Sequence, residues 1–240
     1  MNDTRQFHLL AGIMTERDNR SDDAIYQALW EAIVEHRLSP GARLPEDALA
    51  GAFGVSRTMI RRVLQRLALE QLVTLRTHRG AQITSPTPSE ARDVFRARRL
   101  LEGALLTEVV DRITSEDLQA LAQIAEQERH ARREQAIRLS ARFHTRLMAM
   151  AGNASLSEAL SQLISRTSLI IAVYGRDRTG CPCEHPALIP LLEHRDLDAL
   201  QTWMHQHLTG IEASLDFTAS GDALPDFEHL FGHHREQNAS

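Results

Sequence analysis

Three histidines, His144, His185 and His207, carry the chemistry that the rest of the chain has to explain. His144 lies on an apolar helical stripe with Ser140, Leu147 and Ala151. His185 precedes Leu188, Ile189 and Leu192, and His207 falls with Leu200, Met204 and Ile211. At helical spacing each points inward from a different helix, whereas His205 points outward. A single inward histidine is ordinarily a hydrogen-bonded core residue. Three on three helices of one bundle also suit a metal, because imidazole is a common ligand for zinc, nickel or iron and bundle cores host such sites. Three imidazoles around zinc with an open position would serve a metal-dependent hydrolase. Against that, no carboxylate stands on the same stripe as an evident general base, and Glu184, beside His185, is expected to point elsewhere. The other outcome is a binding site, with or without a metal.

A second stretch, Gly54 to Leu67, has a different chemistry. Ser56 is a good N-cap, so a helix starting at Arg57 offers free N–H groups and a positive dipole end to a phosphate. Ile60, Val63, Leu64 and Leu67 form its buried stripe. Thr58, Arg62 and Gln65 point away from that stripe, with Arg61 and Arg66 on its flanks and Arg57 in the first turn. Four arginines and no acid fall between Ala48 and Leu69. A surface helix usually mixes both signs, so this one reads as a helix for the DNA major groove. A hydrolase would have no use for it.

Composition sets the frame. The 240 residues suffice for one large or two modest domains, and the net charge of −5 makes the basic character local. No apolar run is long enough to span a membrane, and the start of the chain has no signal-peptide pattern. Cys181 and Cys183 sit in one Cys-Pro-Cys loop, too close together to staple distant segments. A soluble cytoplasmic protein is expected.

The elements that must position these residues follow in order. Residues 1–20 read as a polar extension. Ser21 caps a first helix with Ile25, Leu29, Ile33 and Val34 on one face, and Leu38-Ser39-Pro40-Gly41 ends it. Arg43-Leu44 is a stub of strand. Pro45-Glu46-Asp47 opens a helix that Gly54 closes, and the Ser56 helix follows directly, which makes a helix-turn-helix. Leu72–Leu75 and Ala81–Thr84 are short strands joined by a basic tip with His78, Arg79 and Gly80, a wing for the backbone or minor groove. This module is expected to span 21–85. Ser85-Pro86-Thr87-Pro88-Ser89 is an extended linker, centred on 86–89. From 90 to 218 only helical periodicity is present, in six helices near 90–112, 115–133, 135–151, 154–174, 184–194 and 196–217. Residues 219–240 look like a flexible tail.

The run from Leu38 through Pro45-Glu46, Leu49-Ala50, Phe53-Gly54-Val55-Ser56-Arg57-Thr58, Arg61, Leu64 and Leu67 to Arg79-Gly80-Ala81 resembles the winged helix of the GntR family of bacterial transcription regulators. That resemblance implies base or phosphate contacts by Arg57 and Arg61, phosphate contacts by Ser56 and Thr58, and minor-groove contacts by His78 with Gly80. Two departures stand out. Asp47 occupies a position where some relatives carry a DNA-contacting arginine, and Arg62 adds a charge with no assigned base. Further on, Arg98-Arg99-Leu100-Leu101-Glu102, Phe143-His144, Gly152-Asn153, Glu184-His185 and His207-Leu208 resemble the FCD ligand-binding domain, in its smaller, VanR-like, six-helix form. There an Asp and three His bind a divalent metal, and a small carboxylate completes the coordination. His144, His185 and His207 match the three histidines, but Ser140 stands in place of the Asp. The resemblance therefore implies zinc, or else nickel or iron, on three histidines. The alternative is a metal-free polar pocket in which the histidines hydrogen-bond the effector. Arg98 matches a position that holds an effector carboxylate, unless it only pairs with Glu102 one turn on. Ser140, Asn153 and Arg166 are further pocket candidates, Asn153 unless it is only a helix-end residue after Gly152. The implied whole is a cytoplasmic, homodimeric regulator, a repressor rather than an activator, that binds a palindromic double-stranded operator and has no enzymatic activity.

Overall fold

The computed structural model describes residues 16–35, 37–76, 80–175 and 184–218. Its first half is a three-helix module with a small sheet: α1 (Glu16–Val34), β1 (Arg43–Leu44), α2 (Glu46–Phe53), α3 (Arg57–Leu69), β2 (Val73–Arg76) and β3 (Gly80–Ile83). Helix α1 begins five residues before Ser21, which is therefore interior to the helix and not its cap. The polar run from 16 to 20 contains neither glycine nor proline to stop a helix propagating upstream. Helix α2 ends at Gly54, whose φ of 68° is the left-handed C-cap that glycine adopts without strain. Ser56 then caps α3, its Oγ accepting from the Met59 N–H at 3.2 Å. The expected stripe of Ile60, Val63, Leu64 and Leu67 is buried, packed with Leu29, Ile33, Leu44, Leu49 and Phe53. Each such side chain contributes roughly 1.5–3 kcal/mol when fully buried.

The sheet is antiparallel in the order β1-β3-β2. Gly80 opens β3 with φ 78°, and a Cβ there would collide with the Leu44 carbonyl oxygen. Close approach of β3 to the end of β1 thus requires glycine at this point.

The second half is an all-α bundle: α4 (Pro88–Arg112), α5 (Ser115–His130), α6 (Arg133–Ala149), α7 (Ala154–Tyr174), α8 (Leu188–His194) and α9 (Leu197–Ala213). Helix α4 starts inside the expected linker. Thr87 and Glu90 form a reciprocal capping box, and Pro88 takes the first helical position, where no N–H is needed. A single 3₁₀ turn, His185–Ala187, precedes α8 where one longer helix was expected. Pro186 and Pro190 lie in the first turns of these elements, where a missing N–H costs little.

Helix α1 joins the halves. Trp30 touches both hydrophobic cores, and its indole N–H donates to Ser165 Oγ on α7 at 3.0 Å. Leu169 of α7 is buried in the core of the first module. Arg138 of α6 pairs with Glu35 at 3.0 Å and Glu31 at 3.6 Å. No helix among the described residues is long and apolar enough to cross a membrane.

Candidate DNA interface and effector site

Helix α3 exposes Ser56, Arg57, Thr58, Arg61 and Gln65 along one side. The two arginines there meet acids from the start of α2. Glu46 accepts from Arg61 Nε at 2.9 Å and from Nη2 at 2.6 Å, and Asp47 stands 3.0 Å from Arg57 Nε. Arg62, expected among the DNA contacts, is turned the other way. It is half-buried against α1, with Nε 3.0 Å and Nη2 3.2 Å from the two Asp22 oxygens. Arg66 follows it, 2.5 Å from Asp23 with its guanidinium 3.7 Å above the Tyr26 ring. The physical reason lies in the packing. Arg62 and Arg66 sit one turn apart on the flank that α1 covers, and α1 places two aspartates there. Gly80 has the backbone role given above; His78 and Arg79 lie outside the described residues, as do Cys181 and Cys183.

In the bundle, His144 comes from α6, His185 from the 3₁₀ turn and His207 from α9, and all three are buried, with one ligating atom of each within 4.8 Å of the others. Aromatic side chains wall them in. Phe143 stacks on His185 at 4.3 Å between ring centres, and Trp203 stacks on His207 at 4.6 Å. Two buried carboxylates orient the rings. Glu102 of α4 lies 2.7 Å from His144 Nδ1, and Glu128 of α5 lies 2.6 Å from His185 Nδ1. A carboxylate only accepts, so each Nδ1 carries the hydrogen and each Nε2 keeps a lone pair. Those two Nε2 atoms face each other at 3.2 Å. Two lone pairs at that separation need a proton or a cation between them. Two nitrogens on a tetrahedral zinc, each about 2.0–2.1 Å from it, stand about 3.3 Å apart. His207 Nε2 is also buried, with no hydrogen-bond partner among the described residues.

The electrostatics favour neutral His144 and His207 and a charged Glu102. Burial pushes His144 down to about 4 despite the adjoining Glu102. Burial, reinforced by the other two histidines, pushes His207 well below the usual imidazole range. Burial alone would raise Glu102, but Arg98 and His144 outweigh it and hold the carboxyl at about 2. Neutral, carboxylate-backed imidazoles are the form that binds a metal.

Arg98 makes the one-turn pair with Glu102, Nε to Oε1 at 2.5 Å, with both side chains buried. Its Nη2 is buried with no hydrogen-bond partner among the described residues, so the salt bridge uses only part of the guanidinium. Ser140 is half-buried one turn before His144. The other two candidates are not brought to the histidines. Asn153 is exposed and caps α7, its Oδ1 accepting from the Leu156 N–H at 3.1 Å. Arg166 lines a small cavity with Gln71, Thr84, Pro86 and Glu90, where the two halves meet. The direction of α7 sends both elsewhere, and Asn153 is a helix-end residue. Sequence reasoning missed Glu102 and Glu128 as partners of the histidines, having looked for acids only on the histidines' own stripes. A signal was available: Glu128 shares the apolar i, i+3, i+4, i+7 stripe of Leu121, Ile124 and Ala125, and Glu102 continues that of Val94, Phe95 and Arg98.

Comparison with known proteins follows the same division of the chain. Residues 22–83 match the family described as bacterial regulatory proteins, gntR family, and residues 93–210 match the FCD domain. The HTH-type transcriptional regulator YdhC of Bacillus subtilis is 31% identical over 175 residues, which cover 71% of this chain and 75% of that protein. The chain belongs to the GntR family. It is a DNA-binding transcription regulator of the GntR/FCD type, and its relatives are regulators and not enzymes. The transcriptional repressor RspR of Escherichia coli is 26% identical over 199 residues, covering 80% of this chain and 87% of RspR. A GntR-type regulator from Rhodococcus sp. RHA1 shares the fold, with TM-score 0.68 and 21% identity over 83% of this chain and 97% of that one.

Proposed function

We propose that this GntR-family regulator is a homodimeric repressor whose operator binding is released by a small carboxylate effector, bound with a divalent metal among His144, His185 and His207. The observation that carries the metal is the facing pair of Nε2 atoms, 3.2 Å apart, each with its Nδ1 tied to a carboxylate. The donor set is all nitrogen and backed by two acids, which suits zinc first and nickel or iron next. Ser140 supplies no charge. The negative charges of Glu102 and Glu128, one shell out, offset a divalent ion instead. With the ion counted, one positive charge is left over on the Arg98–Glu102 pair, and Arg98 Nη2, buried with no partner among the described residues, could donate to a carboxylate. The metal, when bound, would polarise and anchor one end of such a ligand.

Two-fold symmetry of a dimer implies a palindromic operator, one half-site per α3. A path joins the two sites. Arg138, on the same helix as His144, pairs with Glu31 of α1 and with Glu35 just past its end, and Asp22 and Asp23 of α1 hold Arg62 and Arg66 of α3. Effector binding that moves α6 against α1 would re-aim α3. A ~100-fold preference of the effector for the state that misfits DNA supplies about 2.7 kcal/mol of coupling. The test is metal content by mass spectrometry on untagged protein prepared without chelator, beside His144→Ala. Near one ion per chain, lost in the variant, is expected, followed by a screen of carboxylates for DNA release. No metal, even after reconstitution with zinc, nickel and iron, would refute the metal reading.

A further inference from the structure

The two arginines best placed to meet DNA already have partners, and those partners are acids. Glu46 is largely covered, its side chain 13% exposed, and it takes two hydrogen bonds from Arg61, at 2.9 and 2.6 Å, and a longer one from Arg57 Nη2 at 3.5 Å. A bidentate bond to a carboxylate fixes the guanidinium plane and leaves its remaining N–H groups free to point outward. Asp47 differs. Its side chain is 73% exposed, and its contact is with Arg57 Nε, on an arginine 59% exposed. A contact of that kind is worth at most ~1 kcal/mol and yields readily to a phosphate. While it persists, though, it neutralises Arg57, and a neutralised arginine releases no counterion from DNA.

We propose that the two acids divide the arginines' work: Glu46 is a positioning residue that orients Arg61 for reading bases, and Asp47 competes with DNA phosphates for Arg57. The proposal rests on α3 being the helix that meets DNA. It makes Asp47 a brake on binding to every duplex and Glu46 a determinant of sequence preference. Two neighbouring acids thus have different consequences, decided by burial and bond count.

The experiment is fluorescence-anisotropy titration of the full chain between about 50 and 200 mM salt. One probe is a duplex that the protein itself selects from a random pool, and the other is an unselected random duplex of equal length. Asp47→Asn is expected to steepen the plot of log affinity against log salt by about 1 on both probes. The extra slope should vanish when Arg57→Ala is added. Glu46→Gln is expected to lower the ratio of selected to unselected affinity by roughly ten-fold without shifting the thermal midpoint. Glu46→Asp, which keeps the charge but shortens the reach, should do the same and serves if the glutamine variant does not fold. An unchanged slope in Asp47→Asn would overturn the competition. An unchanged ratio in the Glu46 variants, while Arg61→Ala lowers it, would overturn the positioning role alone. If Arg57→Ala and Arg61→Ala both leave DNA binding intact, the reading of α3 itself fails.

Discussion

Replacing Glu128 by glutamine isolates the most specific claim about the bundle, that its buried acids act through the histidines. Glu128 is 3% exposed, and its Oε2 stands 2.6 Å from His185 Nδ1. Glutamine is nearly isosteric and can still accept from Nδ1–H through its amide oxygen, so the ring keeps its place and tautomer. What changes is the charge. A hydrogen bond to a charged group is worth ~1.5–3 kcal/mol and a neutral one ~0.5–1.5 kcal/mol. The difference, about 1–1.5 kcal/mol, lowers imidazole basicity and weakens a metal at Nε2 by roughly five- to ten-fold. Loss of a negative charge near a divalent ion adds to this, and outer partners of metal-bound histidines generally carry 10–100-fold in affinity. Glu128→Gln should therefore raise the zinc dissociation constant by about 10–100-fold, read by competition with a chromophoric chelator. Without metal the substitution removes a buried charge that faces His185, so the unfolding midpoint of the metal-free protein should hold or rise. An affinity within two-fold of the parent would refute the reasoning. A large loss of stability without metal would instead make Glu128 a structural partner of His185.

Ser140→Asp should restore the carboxylate that the family pattern carries one turn before His144, tightening zinc in the same chelator competition; an unchanged affinity would mean that position 140 does not face the ion. Gly80→Ala, at φ 78° with its new Cβ against the Leu44 carbonyl, should destabilise by more than the ~1–2 kcal/mol cost of a left-handed residue, checked as a lowered thermal midpoint. Arg138→Ala removes partly exposed pairs to Glu31 and Glu35 worth ~0.2–1 kcal/mol, so folding and DNA affinity should change little. Its effect should fall on the response to a carboxylate that releases the parent from DNA, and an undiminished response would exclude this route between the sites.

Much of the architecture was legible in the residues, because it rests on local physics. Gly54, Ser56 and the stripe of Ile60, Val63, Leu64 and Leu67 define a capped, one-faced helix wherever they occur, and six periodic runs after Pro86 define a helical bundle. The inward direction of His144, His185 and His207 was equally local, set by the apolar residues three and four places away. Where local signals were weaker the reading slipped by a few residues, as at the start of α1 and at the capping box of Thr87 and Glu90.

Partners were a different matter, because they come from other helices. Nothing in the order of residues says that Glu102 and Glu128, 42 and 57 positions away from their histidines, close on His144 and His185. The same holds for α1, which turns Arg62 toward Asp22, and for α7, which carries Arg166 to the junction of the two halves. Residue type and spacing determined which side chains had chemistry to offer and which way each faced on its own helix. Only the packing of helix on helix decided whose lone pairs met, which charges were already spent, and which remained for DNA and for a ligand, since those depend on distances that chain order does not contain.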